Sequence, residues 1–93
     1  MAVWVDPLKD WGWRLGPSCH LLADSEAELH AFAASIGLHR SWFQDQRLFH
    51  YDLTAARRAA AVRAGALELD WHESILRHPN APVISSSSGK SEP

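Results

Sequence analysis

The sequence predicts a small single-domain α/β fold with strand and helix order β-β-α-β-α-β. Three observations lead there. Short runs of β-formers alternate along the chain with helix-period segments. The two longer helical segments each open on a capping residue and close on glycine. The chain of 93 residues, 46% of them hydrophobic, is long enough for one domain and no more. Strand–helix–strand units favour parallel pairing with right-handed crossovers, so a mostly parallel sheet in two or three layers is expected.

Val3-Trp4-Val5 is a strand halted by Pro7. Residues 7–17 hold Pro7, Gly12, Gly16 and Pro17 and read as a loop. This connection has no helical signal, so it is the one that lets the first strand pair antiparallel. Cys19–Ala23 is a second strand. Ser25 and Glu28 form a capping box, and Leu29, Phe32, Ala33 and Ile36 recur at helical spacing until Gly37. Arg40–Gln44 is a third strand candidate. Phe49–Leu53 is extended, and Thr54 caps a second helix to about Ala64, with Ala55, Ala56, Ala59 and Ala60 as its small face. Leu67–Leu69 is a final strand. Asp70–His78 reads as a short helix with Trp71, Ile75 and Leu76 inward. The domain is expected over residues 1–79, followed by a disordered serine-rich tail over 80–93.

Composition excludes several function classes. The one cysteine, Cys19, allows no internal disulfide and no thiolate cage, which suits a reducing cytoplasm, and is expected to be a small core residue. The opening MAVWVDPLKDW has no basic segment followed by an apolar run, and no stretch approaches a membrane span, so no membrane partner is expected. A net charge of −2 argues against coating nucleic acid, but the charge is uneven. Residues 40–63 carry five arginines against two aspartates, a local +3, while the remainder carries four basic against nine acidic groups. Arginine has the fork geometry for phosphate or carboxylate, which points to a local anion site. Five tryptophans in so short a chain are unusual. They can supply a thin core, although Trp11 and Trp13, flanking Gly12, suit a pocket rim or an interface.

In an open parallel α/β sheet, ligands bind beyond the carboxyl ends of the strands. Asp24, Gln44, His50 and Asp52 fall at that edge, and Arg57 and Arg58 fall in the first turn or so of the second helix. His50 and Asp52 share one strand face, with Phe49, Tyr51 and Leu53 on the other. Each has a plainer reading: Asp24 or Ser25 as a helix cap, Asp52 or Thr54 likewise, Tyr51 as core, the arginines as partners of nearby carboxylates. His20 shares strand parity with Asp24 but lies about 13 Å from it, and is better placed to meet Asp6 or the 7–17 loop. His30 lies one turn after Glu26 and makes an ordinary helical pair. His39, His72 and His78 read as surface. The chain has no zincin motif, no Cys-x-x-Cys, no phosphate loop, no nucleophile elbow and no dinucleotide fingerprint. His50-x-Asp52, with Asp24 or Asp6 as a third donor, would suit a divalent ion such as Mn²⁺, Fe²⁺ or Zn²⁺.

Residues Val3–Asp6, Trp11-Gly-Trp, Cys19-His20, Ala23-Asp24, Glu28-Leu29-His30, Ile36-Gly37, Trp42-Phe43-Gln44, His50-Tyr51-Asp52-Leu53, Arg58 and Ala64-Gly65-Ala66 resemble a family of short bacterial and phage proteins classed as a domain of unknown function, DUF4031. The resemblance covers about residues 3–70. It implies one compact cytoplasmic domain and brings no substrate. It also implies that His20, Asp24, His30, His50 and Asp52 belong to the family pattern.

Two functional expectations follow. In the first, His50, Asp52 and Asp24 carry acid/base or metal chemistry on a phosphate-bearing nucleotide or nucleic acid end, held by Arg57, Arg58 and Gln44, with His20, His30 and Asp6 as additional candidates. In the second, the chain is a non-catalytic homodimeric interaction module in contact through Trp11 and Trp13.

Overall fold

In the computed structural model, which describes residues 2–81, the chain forms a five-stranded sheet with three helices. The elements are β1 (Val3–Val5), β2 (Ser18–Ala23), α1 (Glu26–Ser35), β3 (Phe43–Gln44), β4 (His50–Thr54), α2 (Ala55–Arg63), β5 (Leu67–Glu68) and α3 (Trp71–Arg77), with a short 3-10 turn at Arg40–Trp42 before β3. The sheet order is β3-β4-β2-β1-β5. The tail expected after Pro79 lies outside the described residues beyond Ala81.

The helix ends follow the sequence signals. Ser25 Oγ accepts from the Glu28 amide at 3.2 Å, and Thr54 Oγ1 accepts from the Arg57 amide at 3.3 Å. Both helices close in a Schellman motif on a glycine with positive φ, +82° at Gly37 and +110° at Gly65. The next amides, of Leu38 and Ala66, reach back to Ala33 and Ala61 at 2.9 and 3.0 Å, and both residues are buried. That contact fixes where the chain leaves each helix. In α2 the buried residue is Ala61, flanked by half-buried Arg58 and Val62, while Ala55, Ala56 and Ala59 are exposed. The predicted alanine face is therefore rotated.

The sheet is mixed and mostly antiparallel, which corrects the parallel expectation. Only β1 and β5 pair in parallel. β1 pairs with β2, β2 with β4 and β4 with β3, all antiparallel. The physical reason lies in the connections. The 7–17 loop folds back on itself as a continuation of the β1–β2 hairpin, with Lys9 and Ser18 exchanging backbone bonds at 2.8 and 2.9 Å. The segment between α1 and β4 is spent on the 3-10 turn and the short β3, so β4 returns as half of a hairpin rather than after a helical crossover.

Strand alternation then divides the residues between two faces. One face carries Val5, Cys19, Leu21, Tyr51 and Leu53, sealed by Leu29 and Ala33 of α1 and Ala61 of α2. The other carries Trp4, His20, Leu22, His50 and Asp52. It is covered in part by α3, which Trp4 anchors: its buried indole donates to Ser74 at 3.2 Å. Asp70 caps α3 through the Glu73 amide at 2.8 Å. Ser74, not Leu76, is the buried residue of α3, because the helix turns a small polar side chain to the Trp4 indole. Among the described residues no helix is long and apolar enough to cross a membrane.

Candidate functional site

The register of β2 against β4 sets His20 directly opposite Asp52. His50 stands two residues along from Asp52 on the same face of β4. The three side chains therefore converge, and their donor atoms lie within 4.8 Å of one another. His50 Nε2 is 3.3 Å from Asp52 Oδ1, and His20 Nε2 is 3.8 Å from the same oxygen. The two imidazoles meet edge to face, centroids 4.7 Å apart.

What each ring does with its other nitrogen decides the chemistry. His50 Nδ1 lies 2.7 Å from the Leu48 carbonyl, which can only accept, so Nδ1 carries the hydrogen. His20 Nδ1 lies 2.7 Å from Asp6 Oδ2, and the other oxygen of Asp6 accepts the His20 backbone amide at 2.7 Å. Asp6 is buried and fixed on both sides: the Arg58 guanidinium donates to its carbonyl at 2.9 Å. In the neutral rings both Nε2 atoms are therefore bare lone pairs, aimed with a carboxylate oxygen at one small volume. Three electron-rich atoms facing one another are stable around a shared cation. Histidine ligands of metals characteristically donate their second nitrogen to a carboxylate or a backbone carbonyl, and here one does each.

Protons compete for the same lone pairs. The hydrogen bond that His20 donates to Asp6 raises the His20 pKa above its ordinary value, outweighing burial, with the charges of Asp6 and Asp52 adding to it. His50, and then His20, lower the Asp52 pKa against a desolvation effect of opposite sign. Cys19 sits beneath, on the core face, its thiol pushed up to about 12 by burial foremost. It is an inert core residue, as expected.

The surroundings are aromatic and cationic. Trp11 and Trp71 pack edge to face at 5.8 Å, and both approach the His20 ring, at 6.3 and 5.7 Å. Lys9 lies over the Trp11 ring at 4.3 Å. A cleft of about 290 Å³ opens over His20 and His50, with Arg47 and Trp71 in its walls. A second cleft, of about 400 Å³, is lined by Asp52, Gln44, Thr54, Arg57, Trp13 and Trp42. Asp52 belongs to both the cluster and this second cleft.

The sequence candidates separate accordingly. His50, Asp52, His20 and Asp6 are brought together, and Gln44 and Arg57 line the adjoining cleft. Asp24 is not part of the cluster: it lies beyond the far end of β2, where its carboxylate accepts the Ala2 amide at 2.8 Å. Arg58 is directed to the Asp6 carbonyl and to Glu68, at 3.1 Å, so it props β1 rather than facing an anion beside His50. Asp6 stands behind His20 rather than beside Asp52, so the third convergent donor is His20. His30 lies elsewhere, bonded to the Tyr51 hydroxyl at 2.9 Å and 3.8 Å from Glu26. His78 is buried, not surface. It accepts the Asn80 amide at Nδ1 and donates from Nε2 to the Phe49 carbonyl, and burial lowers its pKa.

Lys9, Arg47 and Trp71 were not singled out from sequence as site residues. For Trp71 the available signal was its position at the start of a helix following the last strand; for Arg47 it was membership of the arginine-rich segment 40–63; Lys9 carries none.

The family described as "Protein of unknown function (DUF4031)" matches residues 3–81. No curated protein and no solved structure matches the chain.

Proposed function

This chain belongs to the DUF4031 family, and on that footing we propose that the sheet face carrying His20, His50 and Asp52 is a divalent-metal centre that hydrolyses a phosphate ester at a nucleotide or nucleic acid end. The single observation that carries this reading is the commitment of both Nδ1 atoms to fixed acceptors, which leaves two bare Nε2 atoms and Asp52 Oδ1 turned on one another. Two ligands of one small divalent ion sit roughly 3.0–3.5 Å apart. The His50–Asp52 edge fits at 3.3 Å, while the His20–Asp52 edge, at 3.8 Å, and the His20–His50 edge, within the 4.8 Å span of the cluster, would have to close around a bound ion.

Two imidazoles and a carboxylate suit Zn²⁺, Mn²⁺ or Fe²⁺ rather than Ca²⁺ or Mg²⁺. When bound, such an ion supplies Lewis acidity and a coordinated water of lowered pKa. The chain's own residues do the rest. Asp6 and the Leu48 carbonyl hold the two rings in the ligating tautomer. Lys9, Arg47 and Arg57 set positive charge around an anionic substrate. In the reaction, water oxygen bonds to phosphorus, the ester oxygen leaves as an alcohol, and the proton lost by water ends on the alcohol.

The reading of Trp11 and Trp13 as a homodimer contact has less support, because Trp11 is engaged by Trp71, His20 and Lys9 as a wall of the site.

The test pairs metal content with turnover. Purified chain loaded with Zn²⁺ or Mn²⁺ and desalted is expected to retain close to one ion per chain and to hydrolyse bis(4-nitrophenyl) phosphate. His50→Ala and Asp52→Asn should lose both. No turnover by the metal-loaded wild type would overturn the hydrolytic reading, and equal turnover by chelator-treated protein, or failure of the wild type to retain any ion, would overturn the metal centre.

A further inference from the structure

We propose that the cleft beside the cluster is a stacking subsite for the unpaired base of a single-stranded nucleic acid end. This deepens the reading above and rests on it for the position of the scissile phosphate, but the stacking surface is independent of any ion.

The cleft, of about 400 Å³, has the size of a small-ligand pocket. Its walls hold Trp13 and Trp42, 41% and 38% exposed, in a domain whose core has taken only one tryptophan, Trp4. Trp42 packs against the His39 ring, centroids 4.5 Å apart, so the exposed Trp13 indole and the arginine stacked on Trp42 are the surfaces offered to a ligand. The Arg57 guanidinium lies over the Trp42 ring at 4.7 Å. A planar cation stacked on an indole offers a base a flat surface and its phosphate a charge. Gln44 and Thr54 add an amide and a hydroxyl, groups that hydrogen-bond base edges without demanding one base. Asp52 closes the wall nearest the cluster, so a nucleotide with its base in the cleft has its backbone directed toward His20 and His50.

Arg57 is the cation in the lining of this cleft, set against Asp52 at the end nearest the cluster, and it supplies one contact for a phosphodiester. Stacking favours single strands, because in a duplex every base is paired and only the outer face of the terminal pair is uncovered, a surface wider than the single base this cleft accommodates. A simple phosphate monoester has no base to stack.

The experiment uses the full chain in chelator, so that binding does not depend on the ion. A fluorescein-labelled single-stranded oligo-dT is titrated and read by anisotropy, with the matching duplex and inorganic phosphate as competitors. The expected result is saturable binding, displaced by unlabelled single strand and poorly by duplex or phosphate. Trp13→Ala and Trp42→Ala should each weaken it about tenfold or more. Trp42→Phe should keep most of it. Arg57→Ala should weaken it and reduce the salt dependence. Trp13 sits in the β1–β2 loop, so its variant leaves the core untouched even if Trp42→Ala folds poorly. Metal retention by Trp13→Ala should match the wild type. Unchanged affinity in Trp13→Ala and Arg57→Ala, or equal competition by duplex or phosphate, overturns the subsite. Metal retention without oligonucleotide binding overturns the subsite alone, whereas oligonucleotide binding by a chain that retains no metal overturns the metal centre alone.

Discussion

The two faces of this sheet are built from the same strands and carry opposite kinds of side chain. In β4 the sequence His-Tyr-Asp-Leu-Thr sends Tyr51 and Leu53 into the core and His50, Asp52 and Thr54 to the other side. In β2, Cys19 and Leu21 go inward, and His20 goes outward to meet Asp52. The inner face is closed by two capped helices of ten and nine residues. The outer face has only the seven-residue α3 and a loop bearing Trp11. The apolar core and the polar cluster are thus separated by a strand period of two, and a one-residue register slip would put the histidines into the core.

The comparison can be broken most forcefully on the inner face. Leu29→Ala and Leu53→Ala remove fully buried side chains and should each cost roughly 2–5 kcal/mol in denaturant unfolding, with or without metal. His50→Ala and Asp52→Asn, on the outer face, should change metal-free melting far less and remove the melting increase that added Zn²⁺ gives the wild type. Equal destabilisation by both sets would show that the outer cluster is structural.

Behind the cluster, Asp6→Asn offers a sharper test. An asparagine can still accept the His20 backbone amide, but its NH₂ would donate to Nδ1 and move the ring hydrogen to Nε2. Metal affinity, measured by competition with a chromophoric chelator, should fall about 10–100-fold. An unchanged affinity would mean that Asp6 does not set the tautomer.

The smallest effect is in pH. The His20 pKa is raised in the folded chain, so in metal-free protein its stabilisation is full below the unfolded value of about 6.5 and is lost as pH rises through the folded value. His78 is shifted the other way by burial, so it destabilises as pH falls below that same unfolded value. Melting of wild type and His20→Asn across this range should therefore show a wild-type advantage that is largest on the acid side. An advantage that grows with rising pH would contradict the Asp6–His20 pair. Metal binding runs oppositely: protons compete for the His20 lone pair, so affinity should rise with pH.

How much of this was legible follows from where the information resides. Capping residues, helix spacing and the parity of His50 and Asp52 are local, so α1, α2 and the outward face of β4 could be read directly. Strand direction is not local. Expecting parallel pairing hid the cross-strand neighbours His20 and Asp52, and it sent attention to Asp24 at a strand end. A parallel sheet would also have placed Arg58 beside an anion. In the antiparallel arrangement α2 lies on the core face and the arginine reaches the Asp6 carbonyl instead. His78 looked like surface because its two partners, Phe49 and Asn80, satisfy it through backbone groups that a side-chain pattern does not show.

The central claim is that His20, His50 and Asp52 ligate one divalent ion, and the X-ray absorption fine structure of the Zn²⁺-loaded chain tests it most directly. The expected spectrum has an inner shell of nitrogen and oxygen at about 2.0–2.1 Å, with the multiple-scattering signature of two imidazoles that drops to one in His50→Ala. A shell of oxygen alone, or two imidazoles persisting in His50→Ala, would contradict it.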